Sequence, residues 1–298
     1  MAITAARPDT TTRSVTAPGA LHMTSPRGRT MRWVSNIVLL IVAICFAVPL
    51  LWLVLASVDA NASLSVKVPS QFTLDNFTKV LTPELSFIPL ANSLLLSGGC
   101  ALITVVVALL AAYPLSRYKM RVNKPFLYGI LFGTCLPITA MMVPVYSLFV
   151  SLNLIDNVWG CIFFLAASSL PMAIWMAKNF MDSVPISLEE AAWTDGASMM
   201  ITLTRIVVPL MRPGIAVVFI FVFIQAWGNF FVPFVLLLSP DKVPAAVSIF
   251  NFFGQYGAVA YGQLAAFSIL YSVPVIALYV VVSRGLGGGN ALAGGIKG

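Results

Sequence analysis

The chain has 298 residues, of which 59% are hydrophobic and only 9% charged, and its formal net charge is +7. Soluble domains carry roughly a quarter charged residues, so the composition excludes a soluble globular protein and points to the membrane. The basic excess is no nucleic-acid footprint either, because the charges are sorted along the chain by segment.

The first stretch, residues 1–33, is rich in Thr, Ser, Ala, Pro and Arg and has no apolar periodicity. It is expected to be a disordered cytoplasmic tail. Six uncharged runs follow, at about 34–56, 88–113, 126–150, 158–177, 214–238 and 262–282. Each is near the ~20 residues a helix needs to cross a bilayer. Backbone groups in lipid must be satisfied within their own segment, and strand alternation is absent, so an all-α, six-span polytopic protein is expected. The membrane domain is then 34–284, and the Gly-rich stretch 285–298 is a flexible cytoplasmic tail.

With the N-terminus inside, fourteen of the 17 basic residues fall in cytoplasmic segments. Only Lys67, Lys79 and Lys242 fall outside, while the acidic residues divide evenly. That is the positive-inside pattern, and it predicts a multi-pass plasma-membrane protein with both termini in the cytoplasm. Its surroundings are lipid and its partners do not include nucleic acid. Cys45, Cys100, Cys135 and Cys161 lie singly inside apolar runs, and the lone His22 lies in the tail. They are read as small packing residues, with no metal, cofactor or catalytic set.

The outer loop at about 57–87 carries Phe72-Thr73-Leu74-Asp75-Asn76-Phe77, a turn leading into a short helix. A basic inner turn, Arg117-Tyr118-Lys119-Met120-Arg121, separates the second and third runs. Asn153-Leu154-Ile155-Asp156-Asn157 forms an outer turn, and Ser239-Pro240-Asp241-Lys242 opens the last outer loop.

The long inner loop, 178–212, is the polar element that this apolar chain sets out in the cytoplasm. Pro185 disfavours helix at Val184. Ser187 and Glu190 have the spacing of a capping box, which predicts a two-turn helix from about Leu188. Gly196 can take the left-handed conformation that ends it. Ala191 and Ala192 let another backbone approach closely, and Glu189, Glu190 and Asp195 supply charge for a basic cleft. No Gly-Lys pair completes a P-loop, so this chain cannot hydrolyse ATP by that route alone.

The stretch Glu189-Glu190-Ala191-Ala192-Trp193-Thr194-Asp195-Gly196, with Ile206 and Pro209 following, resembles the EAA loop of permease subunits of carbohydrate ABC importers of the maltose-permease type. The likeness extends to Asn92-Ser93-Leu94, to Ala111-Ala112-Tyr113-Pro114-Leu115-Ser116-Arg117-Tyr118, and to the terminal Ala293-Gly294-Gly295-Ile296-Lys297-Gly298. It departs in the fifth run, where many members have Trp-Asn-Glu-Phe and this chain has Trp227-Gly228-Asn229-Phe230. The resemblance implies a type I importer permease fold. It also implies a second permease subunit, a dimer of ABC ATPases docked at Glu189, Glu190, Ala191, Ala192, Asp195 and Gly196, and an extracellular solute-binding protein.

For the solute path, Gln225 and Asn229 fall one turn apart in the fifth run with Trp227 between them, and Asn92 adds an amide in the second. Amides bind sugar hydroxyls and aromatic faces stack on sugar rings. The alternative for each is ordinary helix-to-helix hydrogen bonding. The runs hold no Asp, Glu, Lys or Arg, which argues against an ion-coupled carrier, the main rival reading. A non-transporting membrane scaffold is the other rival.

Overall fold

The computed structural model describes residues 26–253 and 259–285, in a chain that falls into two units, Met1–Leu50 and Leu51–Gly298. Among the described residues all regular structure is helical, apart from two isolated antiparallel bridges, Asp59 with Phe72 and Phe253 with Val259. Helix α1, Pro26–Ser57, starts before the first apolar run. Residues 26–33 are therefore helical, where a disordered tail was expected. Arg and Met are good helix formers, and extending a helix is cheaper than nucleating one. In the first unit the side chains from Trp33 to Leu50 are all exposed. The expected tail through residue 25, His22, and the C-terminal signature lie outside the described residues.

In the second unit, α2, Asp75–Val80, follows the outer loop. Asn76 Nδ2 donates to the carbonyls of Ser57 and Asp59 at 3.1 and 3.0 Å, which ties α2 back to the residues where α1 ends. A π-turn, Pro83–Phe87, then leads into α3, Ile88–Arg117, an unbroken helix of 30 residues. The third run is two helices, α4, Asn123–Gly133, and α5, Ile138–Ser151, meeting at 89°. The expected straight span fails there because Pro137 holds its predecessor out of the helical region and itself adopts extended backbone, φ −66° and ψ 127°.

Helix α6, Val158–Asp182, is continuous, and Asn157 caps its start by accepting from Gly160 N at 3.0 Å. The inner loop folds as α7, Ser187–Thr194, and α8, Met199–Thr202. A π-turn, Leu203–Val207, and α9, Val208–Leu210, carry the chain to α10, Arg212–Trp227, bent by 78° from the segment before it. The fifth run is thus shorter as a helix than predicted: it stops at Trp227 and resumes as α11, Phe231–Leu236. Helix α12, Ala245–Ser248, lies in the last outer loop, and α13, Tyr261–Gly285, closes the described chain.

Among the described residues four helices are long and apolar enough to cross a membrane, and counting each of the two bent pairs as one span brings the number to six. The core lies where α3 packs on α6 and α10. Cys100, Ala101, Ala108 and Ala112 of α3 meet Cys161, Ile162, Ala173 and Ala177 of α6, all fully or nearly fully buried. Small residues let helix axes approach closely, which is how apolar helices associate in lipid, where the hydrophobic effect drives little. At Gly214 of α10 a Cβ would stand 2.5 Å from the ring of Phe180, so only glycine lets α10 lie this close to α6.

Candidate functional site

Two places gather the residues singled out from the sequence: the inner loop around α7, and a cavity beside the bend between α4 and α5.

Helix α7 is bounded by backbone chemistry. Its N-cap is Ile186, not Ser187, and no side chain caps it. The expected capping box does not form, because the turn starts earlier: the Pro185 carbonyl accepts from Leu188 N, and the Ile186 carbonyl from Glu189 N and Glu190 N. Ser187 is already inside the first helical turn. The C-terminus follows the sequence reading. Gly196 has φ +84°, its N–H donates to the Trp193 carbonyl, and Ala197 N–H donates to that of Ala192 at 2.9 Å. These two bonds make a Schellman motif, which needs a residue free of Cβ strain at that position.

The adjacent glutamates point opposite ways. Glu190 is exposed, as are Ala191, Asp195 and Gly196, while Ala192 is half-buried. Around them Leu188, Trp193, Met199, Met200 and Ile201 are exposed, so the polar face has an apolar rim, the composition of a contact surface. Glu189 does not belong to that face and is 0% exposed. Its Oε1 accepts from Arg117 Nε at 2.6 Å and pairs with the second guanidinium arm at the same distance. Its Oε2 accepts from the Tyr113 hydroxyl at 2.9 Å. Arg117 also donates to Ser116 Oγ and to the Val184 carbonyl, and Ser116 Oγ donates to Asp182, itself paired with Lys178. A carboxylate this dry needs both oxygens occupied by strong donors, and here both are. Sequence reasoning placed Glu189 among the docking charges and Arg117 in a basic turn. Arg117 is instead the last residue of α3, with Tyr113 one turn before it on the same face. That i, i+4 pairing at the end of an uncharged run was the available signal.

The cavity holds about 560 Å³ and is lined by the bend residues Gly133, Thr134 and Leu136, by Ser168, Ser169 and Pro171 of α6, and by Gln225 and Asn229. Among the described residues, no Asp, Glu, Lys or Arg lines it. Gln225 and Asn229 do share this wall, although Asn229 lies beyond the end of α10. Its Oδ1 accepts from Val232 N at 3.1 Å. Trp227 does not reach the cavity. Its ring is buried and stacks between Phe223 and Tyr271, at 5.6 and 5.2 Å between centroids. Asn92 is also elsewhere, donating to the carbonyls of Asp241 and Val243 in the last outer loop. On that same outer side, Asp156 accepts from Leu238 N, Ser239 N, Ser239 Oγ and Lys242 Nζ. The Lys242 ammonium and then the Ser239 hydroxyl hold its carboxyl well below the usual carboxylate range, against a smaller opposing effect of burial.

Broken apolar spans, a short helix displayed from the 178–212 loop and a cavity lined without charge among the described residues are features a membrane permease can use. Residues 104–287 match the family described as the inner membrane component of binding-protein-dependent transport systems, and the chain belongs to that family. It is 33% identical to the ABC transporter permease protein ORF1 of Streptomyces antibioticus, over 77% of this chain and all of that one. It is 29% identical to the trehalose/maltose transport system permease protein MalG of Thermococcus litoralis, over 89% and 98% of the two chains. A bacterial ABC transporter involved in alginate import superposes with a TM-score of 0.76 at 23% identity, covering 87% of this chain and 98% of that one. The chain has the type I importer permease fold, and it is the multi-pass membrane permease subunit of an ABC importer rather than an enzyme.

Proposed function

We propose that this subunit carries a sugar or related polyhydroxyl solute, forming half of a translocation pathway with a second permease. A dimer of ABC ATPases binds from the cytoplasm and an extracellular solute-binding protein delivers the ligand. Both termini are cytoplasmic, and residues 34–284 form the permease domain with its EAA loop at 178–212. The observation that carries the reading is α7: Glu190, Ala191 and Asp195 exposed on a short helix closed by Gly196 at φ +84°, rimmed by apolar side chains. Such a helix is rigid enough to transmit displacement and small enough on one face to enter a cleft.

The solute class rests on the cavity and on the relatives. The described cavity wall presents hydroxyls and amides and no charge, which suits a neutral solute with many hydroxyls. The Thermococcus litoralis relative is a trehalose/maltose permease protein, which fits that class, while the alginate transporter handles an acidic polysaccharide and supports only the carbohydrate part of the reading. Alternation between inward-facing and outward-facing states needs a ligand that binds the two states unequally. ATP on the inner side and the binding protein on the outer side meet that need.

The test begins with the tagged chain extracted in mild detergent from its native locus. A second permease and a P-loop ATPase should co-elute. Glu190→Lys should leave assembly possible but separate ATP hydrolysis from uptake. Normal uptake by that variant would refute docking through α7, and a chain that purifies alone and transports in liposomes would return the ion-coupled carrier.

A further inference from the structure

Helix α3 holds polar contacts at both ends. At the inner end, Tyr113 and Arg117 grip the buried Glu189 of the docking helix at 2.9 and 2.6 Å. At the outer end, Asn92 Nδ2 donates to the carbonyls of Asp241 and Val243 at 2.8 and 3.1 Å. Beside it, Ser93 Oγ, 1% exposed, accepts from Ala245 N at 2.8 Å, fixing the start of α12. Between these grips α3 is unbroken helix, and at 1.5 Å per residue the twenty steps from Ser93 to Tyr113 span about 30 Å.

We propose that α3 is the strut that carries the movement of the docking helix across the membrane to the last outer loop, 239–247. Glu189, Tyr113 and Arg117 act as positioning residues at one end, and Asn92 and Ser93 at the other. The proposal rests on α7 being the ATPase-docking element. Two features favour this route. The inner grip is dry and uses both carboxylate oxygens, so α7 cannot shift without drawing the end of α3 or breaking an ion pair deprived of water. The outer grip seizes backbone groups, so the loop follows α3 whatever its side chains touch. By contrast α10, another route from the inner loop, is separated from α7 by the turn at 195–198 and by a 78° bend.

A strut makes a prediction that plain stabilisation does not: cutting either end should disconnect the far side while the near side still responds. The experiment is hydrogen–deuterium exchange on the co-purified complex, with and without Mg·ATP and vanadate. In the unaltered complex, trapping should change exchange at 187–196 and at 239–247 together. The paired change Arg117→Met with Glu189→Leu removes the inner ion pair without stranding a charge, and Asn92→Ala with Ser93→Ala removes the outer grip. Each should keep the response at 187–196 within twofold and reduce that at 239–247 at least threefold, whereas Tyr113→Phe, which leaves the ion pair, should reduce it less. Equal responses at both segments in both paired variants would overturn the strut. The docking reading is scored first and separately: if no ATPase co-purifies with the unaltered chain, or 187–196 ignores the nucleotide there, that reading fails before any variant is made.

Discussion

Glu189 and Asp156 are both carboxylates that join distant parts of the chain through a cation and a hydroxyl, yet they sit in opposite dielectric surroundings. Glu189 is 0% exposed and its partner Arg117 5% by side chain; Asp156 and Lys242 are 23% and 37% exposed. Water screens the outer pair and can replace a lost partner, so the outer contact works as a hydrogen-bonded clasp on backbone N–H groups. No water stands ready at the inner pair. Burial turns the same chemistry from a fastening that can be opened into one that moves as a unit.

The largest effect should come from leaving one inner charge alone. Arg117→Ala strands a dry carboxylate, and breaking a buried pair in this way costs about 3–5 kcal/mol. The expected outcome is loss of assembled complex, read by co-purification and thermal stability, whereas Glu190→Ala on the exposed face should leave both near the unaltered values. Asp156→Ala should cost less, about 1.5–3 kcal/mol for hydrogen bonds to a charged group, and should raise exchange at 153–157 and 238–242 while sparing the inner loop. The smallest effect sharpens the contrast through pH. A carboxyl held below its ordinary value of about 3.9 contributes stability above that value and keeps contributing as pH falls past it. The clasp should therefore keep its protection from exchange between pH 7 and pH 4.5. Opening within that range would show that Lys242 and Ser239 do not hold Asp156 as described.

Much of this architecture is legible in the sequence because uncharged length and positive-inside sorting are strong physical constraints. Gly196 announced its turn, since a left-handed position ending a short polar helix leaves little choice. The bend at Thr134–Pro137 was not foreseen, because hydropathy counts residues and is blind to direction. The partition of Glu189 from Glu190 was hidden for another reason: it depends on Arg117, 72 residues away. The helix stop at Trp227 escaped notice because Gly228 inside an apolar run reads as a continuing span.

The cavity hydroxyls carry a consequence of their own. Thr134 Oγ1 donates to the Leu131 carbonyl, and Ser168 and Ser169 both donate to that of Leu165. Each has already used its single proton on its own helix, so what these three groups can still offer a visitor is lone pairs. Among the described residues, Gln225 makes no protein hydrogen bond and Asn229 only accepts one, from Val232 N, so these two amides keep protons to give. The wall therefore sorts guests by polarity of donation. A molecule bristling with O–H groups finds acceptors on the hydroxyl side of the wall, while ether or carbonyl oxygens find N–H donors only at the Gln225 and Asn229 amides.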